Sequence, residues 1–153
     1  MQIILYQPEI PQNTGNILRT CHLTGCDLFI VPPLGFSLSS KFLKRAGLDY
    51  FNKTKIQTIE NLPIFLKKTK NPFYFFSSKA NKSYIDIDYP KNSILIFGSE
   101  TKGLPPFFLE KWKERFVCIP MKKNSRCLNL SNAAAIAIYE ALRQQQLLQG
   151  KTF

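Results

Sequence analysis

The chain has 153 residues, 44% hydrophobic and 13% aromatic, which excludes a disordered protein and allows one well-buried core, but leaves no room for a catalytic domain plus a sizeable substrate domain. Its formal charge of +11 comes from 21 Lys+Arg against 10 Asp+Glu and makes a polyanion the expected partner. The excess is confined to the middle: residues 1–40 hold Arg19 against Glu9 and Asp27, whereas residues 41–126 hold 18 bases against 7 acids, so nucleic acid is expected ahead of membrane because no basic amphipathic helix is evident.

Gln2–Tyr6 is a short apolar run and reads as a strand, followed by the turn-rich stretch Gln7–Asn16. Asn16–Thr24 reads as a helix that Asn13 or Asn16 can cap and Gly25 ends. A strand is expected at Asp27–Val31, a helix at Ser39–Ala46 ended by Gly47, a weaker strand near Lys55–Thr58 and a helix at Ile59–Lys68. Further strands are expected at Phe73–Ser77, Ser93–Phe97 and Phe116–Ile119, with helices at Pro105–Lys113 and Asn129–Gln146. Strands alternating with helices imply an α/β fold, a parallel sheet with helices on both faces. Ligands of such sheets bind beyond the carboxyl ends of the strands. That singles out the loops after Tyr6, Phe97 and Ile119.

Several classes of site are excluded. Neither G-x-G-x-x-G nor G-x-x-x-x-G-K-[ST] occurs, so dinucleotide and P-loop sites are poor guesses. Cys21, Cys26, Cys118 and Cys127 form no C-x-x-C pair and His22 is the lone histidine, so neither a zinc site nor a disulfide framework is expected; reduced thiols in a cytoplasm are. The amino terminus lacks the pattern of a signal peptide, and no apolar run reaches the ~18 residues of a membrane span.

Single residues stay ambiguous at this level. Gly98 and Gly103 bracket Glu100 in G-x-E-x-x-G, either a ligand loop or a plain strand-to-helix turn. Arg19 is the sole base in its segment, yet spacing alone equally allows a surface or ion-paired arginine. Asn129 and Ser131 read first as caps of the last helix. His22 reads as an ordinary helix residue, and Phe73–Phe76 as buried strand, since four successive aromatics cannot face one ligand.

Together the three loops carry a resemblance. PEIPQNTGNILRT, LIFGSETKGLP and IPMKKNSRCLNLSNAAAIAIYEALRQ resemble the three ordered motifs of the SPOUT-superfamily RNA ribose 2′-O-methyltransferases. With KRAGLDY at Lys44–Tyr50 and no appended RNA-binding domain, the chain is similar to the TrmL type, the tRNA (cytidine/uridine-2′-O)-methyltransferases of the wobble position. The resemblance covers roughly residues 1–146.

It implies one domain over 1–153, a carboxyl-terminal trefoil knot, a homodimer, S-adenosyl-L-methionine as cofactor and the anticodon stem-loop of tRNA as partner, with neither metal nor membrane. Leucine tRNA isoacceptors are the expected substrates. Carried over by motif, the cofactor site would use Phe76, Ser77, Gly98, Glu100, Ile119, Cys127 and Leu128, while Arg19 matches the catalytic arginine, supported by Asn13, Glu100 and Asn129. Arg19 is expected to orient the 2′-hydroxyl and a neighbouring phosphate and to assist deprotonation, because a guanidinium is a poor proton acceptor at neutral pH. The family pattern usually has serine at Cys127; a cysteine keeps the size with a weaker donor, and a mainly backbone role is expected there. The alternatives are a 2′-O-methyltransferase of another tRNA or rRNA nucleotide, and a non-catalytic RNA-binding protein of the same fold. The apolar run Ala133–Tyr139 is expected to pack, with the first helix, across a two-fold axis.

Overall fold

The computed structural model of the protein describes residues 1–38, 56–123 and 125–145. The expected helix Ser39–Ala46 with its Gly47 stop, the KRAGLDY segment and the tail from Gln146 lie outside the described residues.

Six strands, β1 (Gln2–Tyr6), β2 (Asp27–Val31), β3 (Ile56–Thr58), β4 (Phe73–Phe76), β5 (Ile94–Phe97) and β6 (Phe116–Val117), form one sheet in the order β3-β2-β1-β5-β4-β6. All pairs are parallel, with Gln2 opposite Asp27 on one side and Ile94 on the other. Helices α1 (Pro11–Thr24), α2 (Leu62–Lys68), α3 (Pro106–Lys111) and α4 (Leu130–Gln144) cover both faces.

The period-2 alternation of the strands sorts the core into two layers. Ile3, Leu5, Leu95 and Phe97 pack with Ile17, Leu18 and Cys21 of α1 and with Ala134, Ala137 and Ile138 of α4. Ile4, Ile94, Ile96, Phe73 and Phe75 pack with Leu62 and Leu66 of α2 and Phe108 of α3. The aromatic run therefore splits as a buried strand must: Phe73 and Phe75 face one layer, Tyr74 and Phe76 the other. Small residues at 134, 137 and 141 let α4 sit close to the sheet and to α1.

The boundaries differ from expectation in instructive places. Helix α1 starts at Pro11, five residues before Asn16, with Ile10 as an N-cap that makes no side-chain hydrogen bond. Asn13 and Asn16 are thus inside the helix and cap nothing; Pro11 at the first turn supplies a preset φ and lacks only an N–H that would be unpaired there anyway. Gly25 does end α1, in the left-handed region at φ 71°. Helix α2 starts at Leu62, not Ile59, because Asn61 accepts from the Ile64 amide. Strand β6 stops at Val117, since Cys118 pairs with the loop after β4: its N–H donates to Lys82 O and its carbonyl accepts from Tyr84 N. Helix α3 gives way after Lys111 to a 3₁₀ turn at Lys113–Arg115.

Chain order reverses between β1 and β5: the chain leaves β1 toward β2 and β3, then returns to build β4 to β6 on the other side. Their carboxyl ends form the topological switch point, where a crevice opens between diverging loops.

Candidate active site

At that crevice lies a cavity of about 460 Å³, in the size range of small-molecule and cofactor sites. Its inner wall is aromatic: Phe76 and Phe97 stack with centroids 4.8 Å apart and both line it. The loops after β4, β5 and β6 complete the walls, and Asn13 of α1 closes one side.

The loop after β5 is held tight by its glycines. Ser99 and Gly103 exchange backbone hydrogen bonds of 3.2 and 2.9 Å, with Gly103 at φ 67°. A Cβ on Gly98 would lie 2.5 Å from Leu104 N and 2.7 Å from Gly103 O. Only a bare backbone fits that crossing, so G-x-E-x-x-G here is a compact knob and not an open turn.

The knob presents Glu100. Its carboxylate accepts from Glu9 N at 2.8 Å, Ile10 N at 3.2 Å and Asn13 Nδ2 at 2.9 Å. The first turn of α1 contains no acidic residue; Glu100, 90 residues away, supplies the negative charge that this end of the helix favours. Asn13 Oδ1 in turn accepts from Asn129 Nδ2 at 2.9 Å. Asn129 Oδ1 then accepts from Ser131 N at 2.8 Å and Ser131 Oγ at 2.7 Å, capping α4. The chain Glu100–Asn13–Asn129 runs in one direction, because an ionised carboxylate only accepts and so fixes both amide orientations. Asn13 is 5% exposed, and each amide has one N–H that these bonds do not use.

Every residue expected to hold the cofactor lines this cavity: Phe76, Ser77, Gly98, Glu100, Ile119, Cys127 and Leu128. Asn13, Glu100 and Asn129 line it too. Arg19 does not. It is exposed on α1, six residues and about 9 Å of helix rise beyond Asn13, on another face. Cys127 is exposed, and its thiol lies 3.4 Å from the Ser78 hydroxyl oxygen.

Sequence reasoning missed several lining residues: Ile10, Ser78, Lys79, Thr101, Lys102 and Met121. Ile10, Thr101, Lys102 and Met121 lie within the quoted motifs and Ser78 and Lys79 directly follow the expected Phe73–Ser77 strand, so position in or beside those segments was the available signal. The Glu9 side chain was also missed; it accepts from Thr101 Oγ1 at 2.8 Å and ties the first loop to the knob. Among the described residues no group of three His, Cys, Asp or Glu side chains could hold a metal, and no helix is long and apolar enough to cross a membrane.

The model of the SpoU rRNA Methylase family matches residues 1–139. The chain is 45% identical over 144 residues to a tRNA (cytidine(34)-2′-O)-methyltransferase of Methylovorus glucosotrophus, covering 93% of this chain and 94% of that protein. A solved structure concerned with 2-OH methylation of C/U34 on tRNA is 39% identical, with a TM-score of 0.88 and 95% of each chain covered. An AdoMet-bound rRNA methyltransferase from Sinorhizobium meliloti, 25% identical, superposes with a TM-score of 0.82 over 93% of this chain and 55% of its own.

Proposed function

This chain belongs to the SpoU rRNA methylase family, and on that footing we propose that it transfers a methyl group from S-adenosyl-L-methionine to the ribose 2′-hydroxyl of nucleotide 34, a cytidine or uridine, in tRNA. Residues 1–153 act as one cytoplasmic domain on the knotted path of the family, with leucine isoacceptors as substrates.

The observation that carries this reading is the Glu100–Asn13–Asn129 chain on the wall of a cavity bounded by three motif loops. The cavity fits the cofactor. Stacked Phe76 and Phe97, with Ile119 and Leu128, offer an apolar slot for an adenine, and the Gly98 crossing brings bare main chain to the wall. Bound there, S-adenosyl-L-methionine supplies a methyl group already activated on a sulfonium.

The protein then has to align the acceptor oxygen and remove its proton. Asn13 and Asn129 line the cavity with their amides fixed by their partners before substrate arrives, so little reorganisation is needed on binding. Glu100 is a positioning residue: both carboxylate oxygens are engaged by donors of the first loop and α1. Arg19 orients the 2′-hydroxyl and its phosphate. Because Arg19 lies off its own cavity, the site is completed in a homodimer. The outer faces of α1 and α4 favour this, since Leu23 at 57%, Ile136 at 37% and Tyr139 at 38% remain exposed in one copy.

Incubation with labelled S-adenosyl-L-methionine and unmodified total tRNA, followed by nucleoside mapping, tests the reading. Label is expected in the ribose of nucleotide 34. Label at another nucleotide replaces the substrate, and a protein that binds tRNA yet transfers no label overturns the activity.

A further inference from the structure

Strands β2, β1 and β5 are neighbours in the sheet, so the loops that leave their carboxyl ends lie side by side. The loop after β5 presents every residue from Gly98 to Leu104 to the cavity. No described residue of the loop after β2, 32–38, lines it, and neither do Gln7, Pro8 and Glu9 of the central loop.

Those two loops are nonetheless tied to each other. Gln7 N donates to Val31 O at 2.9 Å, Gln7 Nε2 to Pro32 O at 3.4 Å and Gly35 N to Pro8 O at 2.9 Å. Leu34 packs on the core layer that holds α1 and α4. Gln7 sits at φ 49°, in the left-handed region; a residue with a side chain keeps that conformation only where its surroundings impose it, and such residues cluster at functional sites. Beyond Pro8, Gly35 abuts Glu9: a Cβ on Gly35 would lie 2.7 Å from Glu9 Cα and 2.8 Å from its carbonyl oxygen. Glu9 is thus braced by bare backbone on one side.

On the other side Glu9 grips the tip of the β5 loop twice. Its N–H donates to the Glu100 carboxylate at 2.8 Å, and its own carboxylate accepts from Thr101 Oγ1 at 2.8 Å. Two successive residues of one loop are held by the backbone and the side chain of a single residue in the next. The Ser99–Gly103 bonds close only the neck of the loop. Among the described residues the Thr101 side chain has no other hydrogen-bond partner, and a bond to a carboxylate is of the stronger, charge-assisted kind.

We propose that Glu9 is a positioning residue for the cofactor: braced by Gly35, it holds Thr101 on the cavity wall, so that the loop after β2 governs a site it does not line. This rests on S-adenosyl-L-methionine being the occupant of the cavity. Removing the Glu9 carboxylate releases Thr101, and the loss falls on cofactor binding, since Glu9 itself does not line the cavity.

Calorimetry of S-adenosyl-L-methionine binding to the full chain tests this, with methyl transfer to unmodified total tRNA as the second readout. Glu9→Ala and Thr101→Val are each expected to weaken binding about 5- to 30-fold. The double variant loses no more than either single, because the same bond is removed once. In methyl transfer the loss appears in the KM for cofactor and not in kcat. Glu9→Gln, which keeps an oxygen to face Thr101, restores binding. Gly35→Ala leaves both partners of the bond in place but displaces Glu9, and weakens binding in the same way. Wild-type affinity in Glu9→Ala, Thr101→Val or Gly35→Ala overturns the proposal, as does a double variant whose loss is the product of the two singles, or a Glu9→Gln protein as weak as Glu9→Ala. Thr101→Val changes one exposed side chain, so it decides the matter even where an alanine variant fails to fold. A wild-type chain that binds no S-adenosyl-L-methionine sinks the methyltransferase reading, whereas unchanged binding in the variants sinks the role of Glu9 alone.

Discussion

Replacing Glu100 by glutamine changes one oxygen to an NH₂ and should disturb three loops at once. Glutamine has two ways to sit. With its carbonyl toward Ile10 N and Asn13 Nδ2, its NH₂ faces the Glu9 amide, and a 2.8 Å charge-assisted bond becomes a donor–donor contact. Turned the other way, its NH₂ meets Asn13 Nδ2. Asn13 must then flip, which sets Asn13 Nδ2 against Asn129 Nδ2; a flip of Asn129 to relieve that removes the Oδ1 cap from α4. The first arrangement loses a hydrogen bond to a charged group, about 1.5–3 kcal/mol. The second adds a lost helix cap, about 0.5–2 kcal/mol. We therefore expect Glu100→Gln to lose about 1.5–3 kcal/mol of unfolding free energy by urea titration. Methyl transfer should fall about 10- to 100-fold in kcat/KM, equivalent to about 1.4–2.7 kcal/mol. Asn129→Asp separates cap from relay: aspartate still accepts from Ser131 N, so the fold is kept, but no N–H remains for Asn13. A Glu100→Gln protein within 0.5 kcal/mol of wild type and equally active would refute the directional chain.

Three further outcomes follow from the site. Gly98→Ala places a methyl against the Gly103 and Leu104 backbone, so stability should drop by about 1–3 kcal/mol and cofactor affinity, read by calorimetry, should fall with it; an alanine variant that binds normally would contradict the tight knob. If Arg19 completes the site of a second copy, mixing equal amounts of inactive Arg19→Ala and Asn129→Ala proteins should restore about a quarter of wild-type activity, since half the dimers then carry one intact site of two; no recovery after subunit exchange places Arg19 in its own site. Thiol labelling of the native protein should find Cys127 fast, whereas burial, which raises the Cys21 and Cys26 thiols above their ordinary range, keeps those two unreactive; cofactor should slow Cys127, and a fast phase that survives Cys127→Ser would refute the assignment.

The alternation of strands and helices, and with it the edge on which the cavity opens, was legible because the strands other than the weak edge strand β3, Ile-Gln-Thr, are short, largely apolar runs between turn residues. What misled was Pro11–Asn16. A sequence of proline, glutamine, asparagine, threonine and glycine reads as loop, since those side chains normally seek local backbone partners. Here Asn13 and Thr14 are buried in the helix, and the partners that satisfy Asn13 come from 87 and 116 residues away. Local chemistry cannot announce such partners. Glu100 was read as support for Arg19, and the Glu9 and Ile10 amides at its oxygens, 91 and 90 residues away, escaped notice for the same reason. Asn129 is the opposite case: its reading as a cap rested on neighbours two and three residues on, and that reading holds alongside its second bond to Asn13.

The span of that hydrogen-bond chain also sets an order of events. Asn13 and Asn129 are 116 residues apart, so the wall they share cannot close until the final helix docks, after the sheet has formed on either side of β1. Such long-range closure is slow and late in folding. During synthesis the amino-terminal loop emerges early and waits for partners 87 and 116 residues behind it. Cofactor binding therefore reports that α4 has docked: a partial chain lacking α4 would carry all six strands and the first two motifs, yet lack the Leu130 and Ala133 lining of the cavity.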